Sequence, residues 1–255
     1  MRATHLEPVT PDPKKLRRTA ILLFIVMFVG GFVILKAYEK RAKEGSEDDR
    51  PSFLTKISEA KDLVFMRQDG VLTDLLALKG KVLVVQSLPR SQEDVIISEV
   101  MKRLSEEYVS EEDFALVTLM LDPGEAKVLE EQLKSLSDEL GANLPKWTVA
   151  SNDRPTLHKF IKNEFKANML PYQDEKGVWR YDRSLVLIDK NRHVRRAVVP
   201  QKRGGAAYVA PFDFDQAEKW DDEGVKTGTD LNNVEQLEVL LRDTIDILLE
   251  EEITP

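Results

Sequence analysis

The stretch KVLVVQSLPRSQEDVIISEV, residues 81–100, joins an apolar run to a segment with helical spacing. Residues 82–85 are all apolar, which is typical of a strand covered on both faces of a sheet. Between residues 92 and 108 the apolar positions lie on one helix face: Val95, Ile96, Val100, Met101 and Leu104. The stretch therefore predicts a buried strand followed directly by a helix, the basic unit of an α/β fold.

The junction between this strand and helix is a place where many α/β proteins carry a thiol, a phosphate or a metal. Ser91 followed by Asp94 resembles a capping box, which predicts that Ser91 caps the helix and contributes about 1 kcal/mol. The alternative is that Glu93 and Asp94 are hard-metal ligands or acid/base groups. Neighbouring residues at a helix start point in different directions, so we prefer the cap.

The rest of the sequence predicts a second β-α unit, a hairpin and a closing helix. The predicted elements are a short strand with a DG turn at 69–70, a strand over 113–123, a helix over 124–140 that ends at Gly141, a short strand over 147–151, a helix over 153–165, two strands over 184–199 and a helix over 231–252. This element order is that of thioredoxin-like folds.

Composition narrows the classes of function. The chain has 255 residues, 42% of them hydrophobic and 32% charged, which suits one full-sized core better than a polytopic membrane protein. A net charge of -8 without a basic stripe argues against nucleic acid as a partner. There is no cysteine, and His5, His158 and His193 are too scattered to form a ligand motif.

Residues 19–38, TAILLFIVMFVGGFVILKAY, form an apolar run long enough to span a bilayer as a helix. A cleaved signal peptide is the alternative, but the run is long for one and no small-x-small site follows it. The basic KKLRR before it favours a cytoplasmic amino terminus. We therefore predict four parts: a cytoplasmic tail (1–18), a transmembrane anchor (19–38), a charged tether (39–52) and a domain (53–255) facing the periplasm from the inner membrane.

Four local motifs resemble the Sco/SenC family of membrane-anchored, thioredoxin-like proteins. They are LKGKVLVV (78–85), LDP (121–123), WTVASND (147–153) and LVLIDKNRHVR (185–195), whose order and spacing agree over about residues 60–200. The resemblance implies an α/β, thioredoxin-like domain of Sco/SenC type with one N-terminal transmembrane helix. It also implies work as a copper chaperone or thiol reductase in cytochrome c oxidase assembly.

The residues that carry the family's chemistry are different in this chain. The family's copper site uses a C-x-x-x-C pair at the helix start and a distal His before the LID strand, because soft ligands suit copper. The resemblance places Gln92 and Ile96 at the cysteine positions and Tyr181 at the His position, with Asp182 or Arg183 as choices in a shifted register. We therefore predict no cofactor, no metal site and no catalytic residue.

These observations predict a non-catalytic, membrane-anchored protein that acts by binding a protein partner. The resemblance implies that the partner is a respiratory oxidase or one of its assembly factors. Two alternatives stay open. One is a metal carrier or thiol-independent enzyme that uses Glu93, Asp94, Tyr181 and Asp182, and the other is a structural subunit of a membrane complex.

Residues 200–230 form an insert that is longer than the family's connection between hairpin and last helix. It carries four aromatic residues, Tyr208, Phe212, Phe214 and Trp220, and five acidic residues, Asp213, Asp215, Asp221, Asp222 and Glu223. In one interpretation the aromatic residues anchor a partner and the acidic residues favour a basic partner surface. In the other, the aromatic residues fold back and cover a sheet edge.

Overall fold

A computed structural model describes residues 13–44, 52–92, 94–200, 207–225, 227 and 229–253. The chain divides into two units, Met1–Arg50 and Pro51–Pro255. Glu93, most of the predicted tail (1–12) and half of the predicted tether (45–51) lie outside the described residues.

The first unit contains a single described helix, α1 (Pro13–Glu44). Its segment Pro13–Lys36 is long and apolar enough to cross a membrane, and none of it is buried inside the protein. By length and composition α1 fits the single predicted anchor, and the helix continues beyond residue 38, where the tether was predicted to begin.

The second unit is built on a nine-stranded mixed sheet. Its strands in chain order are β1 (Ser52–Lys56), β2 (Val64–Arg67), β3 (Leu72–Asp74), β4 (Val82–Leu88), β5 (Phe114–Met120), β6 (Trp147–Ser151), β9 (Val186–Ile188), β10 (His193–Val199) and β11 (Tyr208–Ala210), while β7 (Tyr172–Gln173) and β8 (Trp179–Arg180) form a separate ribbon. Across the sheet the order is β1-β10-β9-β4-β5-β6-β2-β3, with β11 paired to β10. The central β4, β5 and β6 are parallel, and β9 and β2 flank them antiparallel, which confirms the predicted α/β, thioredoxin-like arrangement.

The apolar run in β4 supplies both cores of this unit. Val82 and Val84 point to one face of the sheet and Leu83 and Val85 to the other, because side chains alternate along a strand. Three helices cover the first face: α2 (Val95–Glu107), α3 (Leu129–Leu140) and α6 (Asn233–Glu250). On the second face lies α4 (Arg154–Glu164), and β4 is therefore covered on both sides.

The described part of the insert folds back on the domain. β11 pairs with β10, and the short helix α5 (Phe214–Ala217) follows it. Phe212, Phe214 and Trp220 are fully buried in the core that α6 shares, and Tyr208 packs against that core while half-buried. A role of these aromatic residues in partner contacts stays a prediction, and the burial of Phe212, Phe214 and Trp220 limits their access to a partner. The pairing of β11 with β10 supports the second interpretation, in which the insert covers a sheet edge.

Candidate functional site

Two segments that the resemblance assigns to the metal-ligand positions meet in the fold. Gln92 lies in the turn after β4, and Ile96 is the second residue of α2, with its side chain 37% exposed. Tyr181 lies between β8 and β9 and is only 7% exposed. The ion pair between Asp94 and Arg183 joins the two segments directly. The fold thus brings the predicted positions to one end of the central sheet.

A chain of three charges occupies this meeting point. Arg183 donates from Nε to the Asp94 carboxylate at 2.7 Å and from Nη1 to Asp215 at 2.6 Å. The Asp94 side chain is 3% exposed, so its charge depends on the guanidinium for compensation. The hydrogen bond to Asp94 raises the pKa of Arg183 above its ordinary value, against the opposing effect of burial. Asp94, Arg183 and Asp215 are called the ion-pair chain below.

The start of α2 differs from the predicted capping box. Asp94 is the cap, since its carboxylate accepts the backbone N–H of Ile97 at 3.3 Å. Ser91 instead donates its hydroxyl to Asp122 at 3.0 Å, and the same carboxylate accepts the backbone N–H of Arg90 at 2.6 Å. The prediction of a Ser91 cap was therefore wrong, because the carboxylate of the LDP motif competes for the Ser91 side chain across the strand ends.

Tyr181 combines burial with an unused hydroxyl. The hydroxyl lies beside Arg183 but has no hydrogen-bond partner of good geometry within the described residues. Burial raises the pKa of Tyr181, and the nearby Asp94 charge raises it further. The phenol is therefore neutral at physiological pH and available as a hydrogen-bond donor.

The residues at this site do not fit a copper ion. The three positions that would carry ligands present an amide, an alkyl chain and a neutral phenol, and none of these is a soft ligand. The Asp94 carboxylate already accepts hydrogen bonds from Ile97 and Arg183, and the guanidinium adds a positive charge at the same place. No group of three metal-ligating His, Cys, Asp or Glu side chains occurs among the residues that the structure describes.

The other predicted polar residues have structural partners. Asp182 accepts hydrogen bonds from the backbone N–H groups of Asn168 and Ser184, which fixes the segment before β9. His158 is buried and its Nε2 lies 2.8 Å from the carbonyl oxygen of Leu121. His193, the first residue of β10, pairs with Asp189 through its Nδ1.

Two functional features could not be predicted from the sequence. The roles of Arg183 and Asp215 depend on contacts between segments that are distant in sequence. The opposite charges of Asp94 and Arg183, next to the positions that the resemblance assigns to metal ligands, were a usable signal. The role of Asp122 in fixing the turn at residues 90–91 had a weaker signal, its place in the LDP motif.

Comparison with solved structures gives this geometry a context. A SCO1/SenC family lipoprotein from Bacillus anthracis str. Ames matches at 20% identity and a TM-score of 0.51, over 76% of this chain and 98% of that one. The fold is of the Sco/SenC type. BsSco, a member of the Sco family of cytochrome c oxidase assembly proteins, matches at 18% identity and a TM-score of 0.46 over 76% and 98% of the two chains. Copper-bound ScoI of Arabidopsis thaliana matches at 13% identity and a TM-score of 0.44, over 71% of this chain and 97% of that one.

The resemblance predicted from four sequence motifs is thus confirmed at the level of the fold. No family model and no curated protein matches the sequence. The Sco/SenC-type fold of this chain carries an internal ion-pair chain beside the positions where the resemblance places cysteine and histidine ligands.

Proposed function

We propose that this chain is a divergent, membrane-anchored protein of Sco/SenC type that acts by binding a protein partner. The ion-pair chain is the observation that supports this proposal most. A guanidinium beside the ligand positions repels a metal cation, and it occupies the Asp94 carboxylate that could have bound one. Without thiols the fold's redox chemistry has no reacting atoms, which supports recognition as the proposed function.

The partner that we propose is a respiratory oxidase or one of its assembly factors. The support for this context is the family resemblance of the four sequence motifs. The exposed acidic residues of the insert, Asp221, Asp222 and Glu223, favour a basic surface on that partner.

We further propose that α1 anchors the protein in the inner membrane with the domain in the periplasm. The basic residues before the apolar run support a cytoplasmic amino terminus. Protease added to spheroplasts should degrade everything beyond about residue 45, while an amino-terminal tag stays protected. Protection of the domain in intact spheroplasts would contradict the proposed localisation and the assembly role together.

Two measurements on the full chain test the functional proposal. Cross-linking in native membranes, followed by purification of a tagged chain, should recover oxidase subunits or assembly factors that a tagged unrelated single-pass protein does not recover. Deletion of the gene should lower assembled oxidase in native gels. Titration of the purified chain with Cu(I) should show no stoichiometric site. A tight one-to-one copper site that Asp94→Asn removes would favour the metal-carrier alternative instead.

A further inference from the structure

A cavity of 640 Å³ lies beside the ion-pair chain. Its wall includes the segments of residues 166–168, 181–183 and 209–223, together with Arg196 of β10. Sites for small molecules in proteins typically have volumes of roughly 300–1,000 Å³. The cavity is therefore large enough for a small organic ligand, and the fold gives it walls from three separate parts of the domain.

The aspartates on the cavity wall already accept hydrogen bonds from the protein. Their donors are the backbone N–H groups of Asn168 and Ser184 for Asp182, the backbone N–H of Gln216 for Asp213, and the Arg183 guanidinium for Asp215. Burial raises the pKa of Asp213 above its ordinary value. Each of these aspartates is therefore already engaged by a donor of the protein itself.

The donors on the same wall are unused. Arg196 is half-buried and Lys166 and Lys219 are exposed, and none of the three forms an ion pair within the described part of the chain. The buried Tyr181 hydroxyl also lacks a partner there. Asp182 and Asp213 compensate the Arg196 charge from a distance but form no hydrogen bond with it, and a bound anion would add direct charge-assisted hydrogen bonds. The positive and negative formal charges of the wall balance when the exposed Glu223 is included. The unused hydrogen-bond donors, rather than a net charge, therefore select the ligand.

Lys166 lies where helix α4 ends. Lys166 has a φ of 58°, in the left-handed region that residues with a side chain rarely adopt. The Lys162 ammonium fixes this bend by donating to the carbonyl oxygens of Ala167 and Asn168 at 2.8 Å each. A left-handed residue directly after a helix is a common helix end, so this bend places Lys166 at the wall as part of the end of α4.

We propose that this cavity binds a carboxylate that carries an apolar group, with Arg196 as its principal cation. The guanidinium fork matches the two oxygens of a carboxylate, while Leu54, Val209 and Pro211 supply the apolar part of the wall. Such a ligand is either a free organic acid or the carboxyl end of a peptide chain. This site does not depend on the proposed partner or on the oxidase context.

Titration calorimetry on the full chain in nanodiscs tests this site. N-acetyl-leucine should bind saturably, and the neutral N-acetyl-leucinamide should not. N-acetyl-leucine represents the carboxyl end of a peptide chain, and hexanoate represents a free organic acid. The one that binds more tightly shows which of these two kinds of ligand the cavity takes. Arg196→Gln should weaken binding about ten-fold or more, because a charge-assisted hydrogen bond is lost. Arg90→Gln removes the same charge from an exposed arginine outside the cavity and should leave binding unchanged.

A second variant, Lys219→Gln, tests the site even if Arg196→Gln fails to fold. Lys219 is exposed at the cavity wall, so Lys219→Gln should fold normally and weaken N-acetyl-leucine binding about two- to five-fold. The proposal would be overturned by an absence of saturable binding or by equal binding of the amide. Inorganic phosphate binding as tightly as N-acetyl-leucine, or an equal loss in Arg90→Gln, would overturn it as well.

Discussion

Arg183 donates to Asp94 at 2.7 Å although 89 residues separate the two in the sequence. The Asp94 carboxylate has two tasks, since it caps α2 through Ile97 and compensates the guanidinium. Arg183 then extends to Asp215 in the insert. The contact therefore ties the start of α2, the segment before β9 and the insert into one unit.

Loss of the guanidinium should destabilise the domain. Arg183→Met leaves the buried Asp94 charge without its partner, and we expect the free energy of unfolding to fall by about 2–3 kcal/mol, below the value for a fully buried pair because Arg183 is partly exposed. Urea unfolding followed by circular dichroism measures this change. The control is Arg180→Met, which breaks a solvent-exposed pair with Asp174 and should have a much smaller effect. Equal effects of the two variants would contradict the structural role of Arg183.

The parts of the fold that could be predicted are those with local signals. β4 is a continuous apolar run, and α3 ends at a glycine with a φ of 71°, so both are encoded by neighbouring residues. β1 was not predicted, because its burial is irregular and only pairing with the distant β10 makes it a strand. The two-residue strands of the ribbon, β7 and β8, are too short to produce a periodic pattern.

The candidate site could be located from the sequence, but its contents could not be derived. The motif order placed the 92–96 turn and Tyr181 at one end of the sheet, and the ion-pair chain lies there. The choice between Ser91 and Asp94 as the cap depends on Asp122, which reaches Ser91 from the end of a neighbouring strand. A capping pattern contains only neighbouring residues, so it does not show that a distant carboxylate such as that of Asp122 binds the Ser91 hydroxyl.

His158 should make stability depend on pH. Burial lowers the pKa of this imidazole in the folded protein. The imidazole of His158 then binds a proton more readily in the unfolded chain than in the folded protein. The contribution of neutral His158 to the free energy of unfolding is therefore complete above the unfolded pKa of about 6.5, and it is lost as pH falls toward the folded pKa. Urea unfolding at pH 8 and pH 5 should show a smaller loss in His158→Gln than in the natural protein. An NMR titration midpoint for His158 at or above 6.5 would contradict this expectation.

Restored cysteines test the register of the family resemblance. The double variant Gln92→Cys with Ile96→Cys places two thiols four residues apart at the start of α2, where the positive end of the helix favours a thiolate. We expect a pair that reacts rapidly with thiol reagents and binds Cu(I), whereas the matched double serine variant does neither. Two thiols with ordinary reactivity and no shared metal would show that the register is wrong.

The aromatic residues of the insert should contribute to stability through the core. Trp220 is fully buried in the cluster that contains Leu237 and Leu241 of α6. Its ring centroid lies 6.3 Å from that of Tyr208, with the two rings edge to face. Trp220→Ala should lower the free energy of unfolding by about 3–5 kcal/mol, because it removes a large apolar side chain and leaves a cavity. Asp222→Ala changes an exposed residue two positions further along the insert and should leave the melting temperature nearly unchanged. Thermal unfolding of the full chain compares the two variants. A small effect of Trp220→Ala would mean that the insert is not part of the core, and its aromatic residues would again be candidates for partner contacts.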